Sequence, residues 1–152
     1  MIYMEKEKND LGKAHQTLVT IWAALLFSQF LFLFVIYMVK REVFAFDFSQ
    51  SIGGGEPVLV LALAGVSVVN FFLSISFRKK FIREAIEKQQ VQLVQTGTII
   101  GCALGESITL FGLLLVFVET YPYFYIFFAL GILAILLSYP KRDDVMAAGF
   151  KR

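Results

Sequence analysis

Four apolar stretches, Leu18 to Val39, Pro57 to Phe77, Leu93 to Val118 and Tyr123 to Tyr139, take up more than half of this chain. A helix crossing the hydrocarbon core of a bilayer needs ~20 predominantly apolar residues, and these runs reach or approach that length, the last being the shortest. In lipid the backbone must satisfy its own hydrogen bonds, so such runs fold as helices. The chain is 58% hydrophobic, above the roughly 45–50% usual for a soluble domain. The reading is an all-α, polytopic four-helix transmembrane bundle in which residues 1–152 form a single membrane domain. Lysines precede the first run as they precede a signal peptide. Its length, and the lack of a small-residue cleavage site before Lys40 and Arg41, predict a retained helix.

Charge sets the expected orientation. Every Lys and Arg except Lys40 and Arg41 falls in the amino-terminal tail (Lys6, Lys8, Lys13), the stretch between the second and third runs (Arg78, Lys79, Lys80, Arg83, Lys88) or the carboxy-terminal tail (Lys141, Arg142, Lys151, Arg152). The positive-inside rule then predicts cytoplasmic termini and a basic cytoplasmic loop at 78–92, in a bacterial cytoplasmic (inner) membrane. The opposite face carries Lys40, Arg41, Glu42, Asp47, Glu56 and Glu119, with "SIGGGEP" as a flexible connector and Pro57 opening the second helix. Tyr37, Tyr121, Tyr123 and Tyr125 are expected there as an interfacial aromatic belt. Within the basic loop, Phe81, Ile82, Ala85 and Ile86 can share one helical face, and Glu84 precedes Lys88 by four residues. Two readings follow: a basic amphipathic helix lying on anionic lipid or reaching a partner, or a charge cluster that only sets topology.

The composition gives little room for catalysis. A net charge of +2 provides no basic surface for nucleic acid. Cys102 is the single cysteine and cannot form an internal disulfide. His15 is the single histidine, at the edge of the first run and far from the one carboxylate inside an apolar run. No nucleophile constellation, metal box or nucleotide loop stands out, so a non-enzymatic protein without an organic cofactor is expected.

That carboxylate is Glu106, in "GCALGESITLFGLLLVF". A charged side chain at a helix centre costs ~2.5–3.5 kcal/mol for the most expensive types on insertion scales. Desolvation favours the neutral form, so Glu106 is expected to be buried and protonated, or to hold H+ or Na+. Antiparallel spans bring Ser28, Gln29, Ser67 and Asn70 to the same depth, with Ser107 and Thr109 beside Glu106. Thr109 lies one turn from Glu106 on the same face, whereas Ser107 points about 100° away. A bundle that buries its polar groups internally would let these stripes converge, making Ser28, Gln29, Ser67, Asn70, Ser107 and Thr109 candidate oxygen ligands around Glu106.

The third run also carries Gly97, Gly101 and Gly105 at four-residue intervals, a small-residue face for close helix packing. Beyond the lipid bilayer, the expected partners are a second copy of the chain or a larger membrane complex. At Ala103-Leu104-Gly105-Glu106-Ser107 and Leu110-Phe111-Gly112-Leu113-Leu114 the sequence resembles the carboxylate helix of the proteolipid (c-type) subunits of rotary ATPases. The likeness covers residues 101–117. It implies a membrane carboxylate that carries H+ or Na+, with Ser107 and Gln29 in the places of the serine and glutamine that accompany sodium binding in that family. A weak internal similarity aligns Thr20, Ile21, Leu26 and Ser28 with Thr98, Ile99, Leu104 and Glu106, as two tandem hairpins would. The resulting expectation is a helix-packing or complex-subunit module held by a protonated glutamate, with a proton- or sodium-binding membrane subunit as the alternative.

Overall fold

A computed structural model describes residues 2–45, 49 and 51–149, which contain helices and no strand. Helix α1 spans Ile2–Val39 and is followed by a 3-10 turn at Arg41–Ala45. Helix α2 spans Pro57–Lys88, α3 Val91–Glu119, α4 Phe124–Leu137 and α5 Arg142–Gly149. Pro57 stands at the start of α2, where its missing N–H costs no helical bond. Gln89 and Thr120, with φ of 52° and 55°, end α2 and α3 in the left-handed conformation. The reversals are short, so α3 runs antiparallel to both α2 and α4.

Three helices, Lys8–Val39, Pro57–Lys88 and Val91–Glu119, are long and apolar enough to cross a membrane. The expected fourth span is reduced to α4, whose 14 residues extend only ~21 Å against a hydrocarbon core of ~30 Å. Counted with α5, across a 42° bend, it completes a fourth. Pro140 occupies that break and cannot continue a helical ladder.

The basic stretch 78–92, expected as a cytoplasmic loop with an amphipathic helix as one reading, is helical apart from Gln89 and Gln90. Phe81 packs on Gly97, and the fully buried Ala85 joins Val94 in the same apolar cluster. Glu84 lies 3.2 Å from Lys88 and 3.9 Å from Lys80 on the outer side.

Helix α3 occupies the centre. It packs on α1, α2 and α4, and α1 and α2 flank the α3–α4 pair without forming a packed hairpin of their own. The internal similarity is therefore not mirrored in the packing. Gly97 faces Phe81 of α2, and Gly101 faces Ser138 after α4 and the Ser74 carbonyl of α2. Gly105 faces Gly131, Ala134 and Ile135 of α4. Gly112 continues the line against Phe127, and a methyl group on Gly131 would overlap Thr109 Oγ1 and the Gly105 carbonyl. The glycine face thus works within the chain, between α3 and its neighbours.

The start of α1, the α2–α3 reversal and α5 meet at one end. Leu11 lies against Gly149, and Gln89 Nε2 donates to the Ala147 carbonyl at 3.1 Å. The basic residues of the three segments gather at this end; Lys151, Arg152 and, from the opposite end, Asp47 lie outside the described residues. At that opposite end the Tyr121 hydroxyl donates to the Ile52 carbonyl at 2.7 Å. Gly54 has φ +63° and sits against Glu119 Oε2 and the Tyr121 ring, where a side chain would have neither space nor a relaxed backbone. The expected tyrosine belt is only partly a belt. Tyr37 is exposed beneath the Arg41 guanidinium, but Tyr121 and Tyr123 belong to the apolar core with Phe124 and Phe127, because the short reversal turns them inward.

Two outcomes follow from this packing. Gly131→Ala is expected to destabilise the detergent-purified protein by about 1–3 kcal/mol, the usual cost of overpacking. Gly65→Ala, whose added methyl meets nothing, should leave the melting transition unchanged. Burial, and then Tyr123, Tyr125 and Glu119, raise the Tyr121 phenol above its ordinary range. A raised folded-state value means that its contribution is complete below about pH 10, where the unfolded phenol ionises, and is lost as pH rises through the folded value. Tyrosinate absorbance should show a late-ionising component that is absent in Tyr121→Phe.

Candidate functional site at the contact of α1 and α3

Helix α1 is registered along its neighbours by a series of polar contacts. His15 Nε2 lies 3.1 Å from the Pro140 carbonyl, Trp22 Nε1 donates to the Ile135 carbonyl at 2.7 Å, and Lys40 Nζ donates to Thr120 Oγ1 at 3.0 Å. Trp22 also meets the Tyr139 ring edge-on, centroids 5.0 Å apart. Between these clamps, Ser28 Oγ lies 2.5 Å from Glu106 Oε1.

The contact has a proton-counting consequence. Ser28 Oγ is 2.7 Å from the Leu25 carbonyl as well as 2.5 Å from the carboxyl oxygen, and Gln29 Nε2 donates to it at 3.2 Å. A serine hydroxyl has one hydrogen to give. If Glu106 is ionised, Ser28 donates to it and the Leu25 carbonyl keeps only its other donors. If Glu106 is neutral, its hydroxyl donates to Ser28, and Ser28 passes its own hydrogen to Leu25. The same positions therefore hold a hydrogen-bonded chain in either protonation state.

Glu106 is half-buried, where full burial was expected. Ala103 and Leu110, three residues before and four after, belong to the exposed stripe of α3, so the carboxylate stands at the edge of the buried face. Beside this contact the Gln29 side chain is fully buried, at 0% exposure. Its Nε2 reaches Ser28 and, at 3.4 Å, the Leu25 carbonyl. Its Oε1 has no partner among the described residues.

The other expected ligands go elsewhere. Asn70 Nδ2 donates to Ser107 Oγ at 2.9 Å, between α2 and α3. Thr109 is buried against Gly131 of α4 and donates to the Gly105 carbonyl at 3.5 Å. Ser67 donates to the Leu63 carbonyl at 2.7 Å and lines an apolar cavity of about 280 Å³ with Val60, Ala64, Tyr121, Phe127 and Leu130. The reason is rotational. At about 100° per residue, Ser107 stands about 100° and Thr109 about 60° round the helix from Glu106, on opposite sides of it, so with neighbours on three sides each faces a different helix. Only Ser28 and Gln29 join Glu106.

Trp22, Gly112 and Gly131 are structural residues that the sequence reading missed. Gly112 was legible as a position seven residues after Gly105, on the same side of α3; Trp22 offered only the signal of being the sole tryptophan. Among the described residues no three His, Cys, Asp or Glu side chains gather as a metal site. No protein-family model, curated protein or solved structure matches this chain.

The Ser28–Glu106 contact should be measurable as coupling. In a double-mutant cycle of Ser28→Ala and Glu106→Gln, read by unfolding in mixed micelles, the expected interaction term is about 0.6–1.7 kcal/mol, the range found for interhelical hydrogen bonds. Ser107→Ala combined with Glu106→Gln should be additive.

Proposed function

We propose that this chain is a non-enzymatic integral membrane module, a helix-packing or complex subunit, in which a protonated Glu106 ties α1 to α3. The observation that carries this reading is the 2.5 Å Ser28–Glu106 contact in a setting where Ser28 has a second acceptor at 2.7 Å. Only the neutral carboxyl supplies a hydrogen for both links. In this reading residues 123–139 make the fourth passage, and α5 lies beyond it at the basic end. The basic end, with both chain termini, faces the cytoplasm of a bacterial inner membrane, in keeping with the positive-inside rule. Phe27, Phe30, Phe34 and Met38 leave α1 with an exposed apolar side for lipid or for other subunits. An assembly would use such outer faces, since the glycine face is occupied within the chain.

A second reading is favoured by one observation, the unpartnered acceptor Gln29 Oε1 on a fully buried side chain beside Ser28. Glu106, Ser28 and Gln29 would then offer oxygens to H+ or Na+, the ions that the resemblance of residues 101–117 to rotary-ATPase proteolipids implies. Ser67, Asn70, Ser107 and Thr109 take no part in this version.

Carbodiimide labelling of the detergent-purified protein tests both, with Glu106→Gln as the blank. Modification of Glu106 at neutral pH that sodium leaves unchanged is the expected result for the protonated tie. Protection by sodium, and not by potassium, would move the assignment to the ion site. An unreactive Glu106, with a Glu106→Gln form as stable as the parent, would remove both.

A further inference from the structure

We infer that the recess between α2 and α5 at the basic end binds the phosphate of an anionic phospholipid headgroup. This inference rests on the membrane reading and is independent of the role of Glu106. The recess holds about 500 Å³ and is bordered by Arg78, Lys79, Arg83 and Lys141, with Glu87 and Asp144 as its acids.

Arg78 is the fixed point. Its Nη2 donates to the Tyr139 carbonyl at 2.8 Å and to Asp144 Oδ2 at 3.3 Å, and its side chain is only 13% exposed. Its Nε is buried and has no acceptor among the described residues. A guanidinium held in this way is a positive charge fixed in the wall of the recess, which suits a phosphate. Asp144 balances Arg78. Lys79, Arg83 and Lys141 enter no ion pair among the described residues, so three free cations face one free acid, Glu87.

Depth selects a lipid over a soluble anion. Arg78 follows Pro57 by an axial distance of ~32 Å at 1.5 Å per residue, close to the ~30 Å hydrocarbon thickness. Arg83 lies ~7.5 Å further along the axis, within the headgroup layer. The recess is also lined by Ile82 and Ile86, and on the same face of α2, seven and eleven residues before Lys79 toward the bilayer centre, Phe72 and Val68 are exposed. A phosphodiester bound at the cations would have its acyl chains along that stripe of α2, toward the bilayer centre. A free anion would find no use for that apolar path.

The test uses the full chain, stripped of lipid in detergent and titrated with phosphatidylglycerol, phosphatidylcholine or inorganic phosphate while its melting transition is followed. Phosphatidylglycerol should stabilise it, and phosphatidylcholine and phosphate should not. A Lys79→Gln, Arg83→Gln, Lys141→Gln variant should bind phosphatidylglycerol about tenfold or more weakly, whereas Lys6→Gln, Lys8→Gln, Lys13→Gln, with the same charge change, should stay within about twofold. Equal loss in both variants would reduce the effect to diffuse charge and overturn the site. Stabilisation by phosphate alone would make it a soluble-anion site, and equal stabilisation by phosphatidylcholine would remove headgroup selection. Native mass spectrometry of the unaltered chain guards against a variant that fails to fold. One retained phosphatidylglycerol is expected, and none retained would overturn the proposal.

Discussion

The close approach of α3 and α4 is the constraint on which the remaining geometry depends. Gly105 lies so near the Gly131 carbonyl and Ala134 that a side chain on either glycine would force the helices apart. In lipid there is little hydrophobic gain from bringing two apolar helices together, so backbone proximity and van der Waals contact must supply the association. Because α4 is short, its register on α3 fixes where the bend at Pro140 falls, and through that where α5 meets α1 and α2. Trp22 and His15 then bind α1 to carbonyls at the end of α4. Ser28 arrives opposite Glu106 as a result of contacts made two and four turns away along α1.

Magnitudes restrict what that meeting can be. Placing a charged side chain at a helix centre costs ~2.5–3.5 kcal/mol for the most expensive types on insertion scales, and an interhelical hydrogen bond returns ~0.6 kcal/mol on average. A bond of that size does not offset an unpaired charge in lipid. The Ser28–Glu106 contact adds stability if the carboxyl enters neutral, or with a cation beside it, and the edge position of Glu106 lowers the demand by leaving it half-buried. The two proposed readings correspond to these two cases, the neutral carboxyl and the carboxylate with a cation beside it.

The sequence shows the spans because length and apolarity are properties of a single segment. It shows the glycine face of α3 for the same reason. The polar network is not legible in this way, since knowing that Glu106, Ser107 and Thr109 share a depth says nothing about which neighbour each one faces. That depends on the azimuth of three other helices, and the outcome separates Glu106 from Ser107 and Thr109. Residues 78–92 show a helical face in Phe81, Ile82, Ala85 and Ile86, but their polarity leaves a simple charged loop open as the other reading. The contacts that make this stretch helical, Phe81 on Gly97 and Ala85 near Val94, join residues on either side of the turn. Tyr121 and Tyr123 satisfy an interfacial pattern, yet the reversal between α3 and α4 turns them toward the core.

The basic end shows how one set of charges can meet two requirements. For topology, only the number of cations near the span ends matters, and a floppy loop would serve. The observed arrangement is more ordered than that. Helix α2 has 32 residues, a length of ~48 Å against a hydrocarbon core of ~30 Å, and its basic end is braced by α5. Bracing costs conformational entropy at Arg78, whose side chain is pinned by Tyr139 and Asp144. Topology alone gives no reason to pin a cation at the membrane surface. A ligand that must be held in one orientation at that depth does, and an anionic headgroup is the ligand that the surrounding charge and apolar path fit.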